Sequence, residues 1–357
     1  MRSILGASLL VAMLGCGTDD VPQEPGQPGE DYAGPADDNG GGGDDGAGSG
    51  GGQTPVPSTG PYFSTPMFFN QHVAGVAKAA NSDSIIASLK AAGGWGMANR
   101  FTVDFEINVL QATAATASRT FTKNALFYSP DCDDTAIPVP AGGNVEGNPG
   151  YTCTTNGDCH LLVFDAAANK LYELYKASIT SAAFTGGCLA VWDTSKQWTD
   201  GLRGDQCSSA DAAGFPVAPL MFTADEVKSG AINHAIRLVL PNDRVKKGYV
   251  RPATHGTNTT GGANAPYYGV HLRLRADYPI ASLPSEGARV VARAMQEYGA
   301  YHADGGQQAL TALNDRDTTA KWAGLLGAYD LDALKVEDFE VIDHGSPTAV
   351  TYACARN

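Results

Sequence analysis

The chain has 357 residues, and 38 acidic against 24 basic side chains leave a formal net charge of −14. So few lysines and arginines exclude a nucleic-acid surface, which needs a basic patch or stripe. The opening apolar run, ILGASLLVAMLG, has 12 residues, too few to span a bilayer as a helix.

That run follows Arg2 and ends at Gly15-Cys16, the layout of a signal peptide over residues 1–15 with a lipid-accepting cysteine. The lipobox match is partial, with Met13 and Leu14 where a leucine and a small residue are usual. Residues 17–60 hold nine acids, no lysine or arginine and almost no large apolar side chain. Such a segment cannot offset its ordering entropy and is expected to be a disordered tether, with a reach of roughly 35–40 Å. Setting those nine acids and Arg2 aside leaves −6 for residues 61–357, so the acidity describes mainly the tether. The expected organisation is a signal peptide (1–15), a lipidated Cys16 with its linker (16–60) and one folded domain (61–357). That places the protein at the cell envelope, as an outer-membrane lipoprotein or a secreted protein, joined to a membrane through lipid at Cys16.

Six cysteines remain beyond Cys16, an even number that fits three disulfides in an exported chain. Spacing does not fix their pairing; Cys188–Cys207, which closes a loop of ordinary size, and Cys153–Cys159, across a Gly/Asn turn, are the pairs expected. No Cys-x-x-Cys spacing occurs, which argues against a cysteine zinc site.

In chain order, DSIIASLKAAGG (83–94) reads as a short helix closed by glycines. RFTVDFEINVL (100–110) alternates strictly and reads as one strand, with Asp104 and Glu106 on its polar face. Two carboxylates there suit the acid–base pairs of glycoside hydrolysis. SPDCDD (129–134) clusters Asp131, Asp133 and Asp134, which could hold a structural Ca²⁺ but lack EF-hand spacing. Further strands are expected at 160–165, 171–176, 187–192, 233–240, 268–275 and 338–343, with helices at 223–229 and within 284–306, the latter stopped at Gly305. Many strands, long Gly/Pro-rich loops and few helices predict a mainly β domain, a single β-sandwich of jelly-roll type.

The segment DCHLLVFDAAANKLYELYKA (158–177) carries the densest chemistry. A turn at Ala166–Asn169 sets Asp165 opposite Lys170 and Leu162 opposite Glu173. Asp158, His160, Glu173 and Tyr175 then share one face, and His160 and Glu173 stand about 7 Å apart as diagonal neighbours. Acids and an imidazole in an apolar hairpin are costly unless paired. They are read as a catalytic group in which Glu173 moves a proton and His160, oriented by Asp158, tunes it. A satisfied structural network is the plainer reading of the same spacing. YGVHLRLRAD puts His271, Arg273 and Arg275 on one face, able to meet an acidic ligand; His234 in NHAIRLVL sits among core positions; His255 lies in a polar loop; Asp211 in SSADAAG could be only a cap. No Gly-x-Ser-x-Gly, His-Glu-x-x-His or P-loop is present.

From about residue 65 onwards the chain resembles a group of secreted proteins of myxobacteria and actinobacteria that carry no assigned activity. The resemblance rests on Asp158-x-His160, Tyr172 to Tyr175, Ser209 to Gly214, His234 to Arg237, Pro252 to His255, and Asp304 in an Ala-Asp-x-Gly after the long helix. It implies that these acids and histidines belong to one site, and it implies no activity. Thr254 departs from the arginine that actinobacterial members tend to have there.

The expected function is an exported, lipid-anchored, monomeric polysaccharide hydrolase without cofactor. Glu173 and Asp104 are its paired carboxylates, and Asp158 and His160 support Glu173. Asp211, His234, His255, Arg273 and Asp304 line the cleft that takes an extracellular glycan. The alternative is a non-catalytic carbohydrate-binding or adhesion lipoprotein. A third class is a metal-dependent hydrolase using Asp158, His160 and His234.

Overall fold

The strand expected over 100–110 breaks at Asn108, and the break organises the fold. Val103–Ile107 (β1) and Val109–Gln111 (β2) belong to two different sheets. The Asn108 side chain donates to Asp317 at 3.0 Å, which holds the corner where the chain changes sheet. The structure is a computed structural model that describes residues 62–357; the expected signal peptide, Cys16 and the linker lie outside the described residues. No helix among the described residues is long and apolar enough to cross a membrane.

The strands that follow are Leu161–Asp165 (β3), Lys170–Leu174 (β4), Leu189–Asp193 (β5), Ile236–Leu240 (β6), His271–Leu274 (β7), Ala300–Gly305 (β8), Leu310–Leu313 (β9) and Phe339–Ile342 (β10). The smaller sheet runs β5-β4-β3-β2 and the larger β1-β9-β6-β8-β7-β10; short strands at the periphery complete a mainly β fold. Both sheets are mixed, since β2/β3, β1/β9 and β6/β8 pair in parallel. The hairpin β3–β4 has the expected register, with Leu162 opposite Glu173 and Asp165 opposite Lys170.

Alternation along each strand explains how the sheets stack. Val109, Leu162, Leu171, Ala190 and Trp192 of the smaller sheet share one apolar core with Val103, Ile236, Leu238 and Leu272 of the larger. The opposite face of the smaller sheet buries Leu161, Val163, Leu174 and Leu189 in a second cluster. Each fully buried side chain of this size contributes roughly 1.5–3 kcal/mol.

Three helices cover the larger sheet and its edges. Ser82–Ala91 (α1) is tied to β10 by a 2.9 Å bond from the Val341 N–H to Ser82 Oγ. Ala224–Ser229 (α2) starts with a capping box between Thr223 and Glu226. Glu286–Glu297 (α3) is capped by Ser285 and buries Val290, Val291, Ala294 and Met295. It stops well before the expected Gly305. Gly299, at φ 74°, turns the chain, and residues 300–305 continue as β8, so Asp304 stands on a strand.

All six described cysteines are paired, as Cys132–Cys188, Cys153–Cys159 and Cys207–Cys354. The expected Cys188–Cys207 pair does not form. The Asp133 N–H bonds to the Leu189 carbonyl at 2.8 Å, bringing Cys132 beside Cys188. Cys207 follows Gly204–Asp205, which pairs with Ala355–Arg356 next to Cys354.

Candidate active site

Arg237 is the lone charged residue of β6, IRLVL, whose five residues are all buried. A buried guanidinium requires acceptors for its donors, and the neighbouring strands supply them. Nη1 donates to Thr311 Oγ1 on β9 at 3.0 Å. Nη2 donates to both Asp211 Oδ1 and Asp304 Oδ2, at 3.0 and 2.8 Å. The β1/β9 register sets Asp104 beside Thr311, so Asp104, Thr311, Arg237 and Asp304 come from four successive strands.

A bulge places Asp304 in this group. Leu238 pairs with His302, but the next residue, Val239, pairs with Asp304, leaving Ala303 as an extra residue on β8. Without that insertion Asp304 would share a face with His302; with it, Asp304 joins the face of Arg237 and Val239.

The hairpin supplies the other side. His160, just before β3, is buried and bonded at both ring nitrogens. Nδ1 meets Glu146 Oε2 at 2.7 Å and Nε2 meets the Ala210 carbonyl at 3.0 Å. Both partners are acceptors, so both nitrogens carry protons and the ring is an imidazolium. Burial opposes that charge, but Glu146 and Asp158 outweigh it and hold the imidazole at about 9. Burial likewise works against the Glu146 carboxylate, and His160 and Arg237 nonetheless hold it down at about 2. His160 thereby fixes the carbonyl next to Asp211. The same turn is held by the Ser209 hydroxyl, which accepts from the Asp211 N–H at 2.9 Å and donates to the Phe215 carbonyl at 2.6 Å.

Around these groups opens a cleft of about 770 Å³, beside a smaller hollow of about 140 Å³ with which it shares Asp158, Asp304 and Gly305 as walls. Asp211, His255, Tyr128, Tyr175 and Tyr352 line the larger part, and Asp104, Glu146, His160 and Arg237 the smaller. Asp211 and Asp304, brought to one nitrogen, cannot both ionise cheaply. Burial and the neighbouring Asp211 charge push Asp304 up to about 8, against the pull of Arg237. Burial also raises Asp211, whose buried Oδ2 has no hydrogen-bond partner. The pair therefore holds a proton above the usual carboxylate range. Burial and Glu106 raise Asp104 to about 6. His255 gives its Nδ1–H to the Ala212 carbonyl at 2.8 Å, and burial keeps it neutral, leaving Nε2 as an acceptor.

Of the residues expected from sequence, Asp104, Asp158, His160, Asp211, His255 and Asp304 come together here. Glu173 does not. It is wholly buried and accepts from Trp192 Nε1 at 2.9 Å and from the Val217 and Ala218 N–H groups at 2.8 Å. Burial raises its carboxyl against these donors, yet it borders neither hollow. His160 pairs with Glu146 and not with Glu173 or Asp158. His234 is turned to Glu226, 3.3 Å away, and to the Ala235 carbonyl. Arg273 is spent on Glu340 and on the carbonyls of Val73 and Val76. The Asp131–Asp134 cluster is taken apart: Asp131 accepts from the Ser208 N–H, Asp133 from Arg203 and Arg356, and Asp134 from Lys123. Among the described residues no group of three or more His, Cys, Asp or Glu could hold a metal ion, and His234 is not beside Asp158 and His160.

Sequence reasoning missed Glu146 and the role of Arg237. An arginine inside an apolar strand was a readable signal, since burying it demands acids. Glu146, in the Gly-rich loop GGNVEGNPG, offered none. Comparison with protein-family models, with curated proteins and with solved structures gives no match.

Proposed function

We propose that the protein is an exported glycoside hydrolase, anchored by lipid at Cys16, in which Asp304 is the general acid and Asp158 the second carboxylate. The observation that carries this reading is a pair of acids, Asp211 and Asp304, that share one nitrogen of Arg237 at the border of a 770 Å³ cleft, where burial and the neighbouring charge push Asp304 up to about 8. Asp158 borders the same cleft with its side chain 44 % exposed. Asp304 donates its proton to the glycosidic oxygen as the bond to the anomeric carbon breaks. Asp158 either takes the proton of the attacking water or itself attacks the anomeric carbon. Once Asp304 is ionised, Arg237 balances its charge; Asp211 raises the cost of ionisation beforehand and so keeps the proton available. Tyr128 and Tyr352, 56 % and 48 % exposed, border the cleft and suit the apolar faces of sugar rings. Those two tyrosines alone would equally serve a non-catalytic glycan binder, but such a binder needs no protonated acid.

The test is release of reducing ends from a panel of polysaccharides. Asp304→Asn, neutral and nearly the same shape, should fold normally and lose a hundredfold or more in rate, as should Asp158→Asn. Cleavage by either variant at the wild-type rate removes that residue from the chemistry. Binding without cleavage by the wild type supports the binder instead.

A further inference from the structure

We propose that the cleft selects a glycan free of carboxylate and sulfate groups, because its walls present acceptors while the cations behind them are already engaged; this rests on the reading that the cleft holds a glycan. The larger part is bordered by Asp131, Asp158, Asp211 and Asp304 and by no lysine or arginine. In the smaller part Arg237 spends Nη1 on Thr311 and Nη2 on Asp211 and Asp304, and its Nε is buried. His160 spends both nitrogens on Glu146 and Ala210. Lys176, 3.7 Å from Asp158, donates to the carbonyls of Asn156 and Gly157. Lys247 stands 5.6 Å from the centre of the Tyr352 ring and is not part of the walls.

A uronate or sulfate entering this cleft would shed water, meet no lysine or arginine in the larger part and face like charge. A neutral sugar meets the opposite situation. Its hydroxyls donate to Asp158 and to Nε2 of His255, and its ring faces lie against Tyr128 and Tyr352. The chain's overall acidity is no substitute for this argument, since most of it lies in residues 17–60.

The experiment uses the full chain carrying Asp304→Asn, so that binding is read without cleavage. Affinity electrophoresis at physiological salt compares neutral polymers (β-glucans, mannans, galactans, arabinans) with polygalacturonate, alginate and a sulfated galactan. At least one neutral polymer should retard the protein and none of the anionic ones should. Retardation by an anionic polymer overturns the proposal, and so does retardation by no neutral polymer. A second substitution, Asn258→Lys, places a cation on the exposed border of the cleft. It should strengthen polygalacturonate binding at least threefold; no gain would show that charge is not the filter and would overturn the proposal as well. The hydrolase reading fails separately, if the wild type binds a neutral glycan and leaves it intact.

Discussion

Glu173 is wholly buried and Asp304 half-buried at the cleft, and burial raises both carboxyls, yet their surroundings differ. Glu173 meets three N–H donors from Trp192, Val217 and Ala218, and no group that would accept a proton from it. It joins β4 to β5 and to the 217–220 turn. Asp304 shares Arg237 with a second acid and borders open space. Alternation in the sequence reveals which face a residue occupies and not what lies above that face, so the hairpin's register was legible while the burial of Glu173 away from the cleft was not. The difference is measurable. Glu173→Gln sets an amide N–H against N–H donors in a dry site, and should cost about 1–3 kcal/mol of stability while leaving the rate per folded molecule unchanged. Denaturant titration and kinetics on the same sample check it; a large loss of rate at normal stability would return Glu173 to the mechanism.

At the scale of elements, the site is assembled from strand ends and loops. The strands of strong period, β3, β4, β6 and β7, were readable because apolar and polar residues alternate or run together. The extra Ala303 on β8 was not, because a bulge leaves no mark in composition; nor was the corner at Asn108, where alternation runs on unbroken across two sheets. The loops carrying Asp211 and His255 are locked by backbone bonds, Ala213 N–H to the Ala303 carbonyl at 2.9 Å and Thr254 N–H to the Ala213 carbonyl at 3.0 Å. The Cys207–Cys354 disulfide, spanning 147 residues, ties the start of the Asp211 loop to the C-terminal segment that carries Tyr352. Replacing both cysteines by serine should cost about 2–5 kcal/mol. It should also weaken glycan binding more than it slows turnover, because Tyr352 is released while Asp304 stays held by Arg237. A fall in kcat with KM unchanged would place the disulfide's influence on the acid pair instead.

At the scale of the whole molecule, the two sheets stack through a shared core and leave a collection of acids and one imidazolium at one border, and that collection makes stability depend on pH in a definite direction. Folding raises Asp304 from 3.8 to about 8 and Asp104 from 3.8 to about 6. Over those windows the native state binds more protons than the unfolded chain, so stability falls as pH rises. Folding raises His160 from 6.5 to about 9; its contribution is complete below 6.5 and is lost as pH rises through 9. Glu146, lowered from 4.5 to about 2, works the other way and loses its contribution as pH falls through 2. The buried neutral His271 and His302, lowered from 6.5 to about 3, add stability as pH rises to 6.5 and offset the two aspartates there, so the net decline falls between about pH 6.5 and 9. For a domain of this size each kcal/mol moves the midpoint by about 2–4 °C, so thermal melts of the wild type from pH 5 to 9 should resolve the trend. Asp304→Asn removes one of the coupled protons and should flatten the curve between pH 6.5 and 8, while the decline due to His160 persists above 6.5. Parallel curves for the two proteins would mean that Asp304 holds no extra proton in the folded chain, and would remove the acid on which the proposed hydrolysis depends.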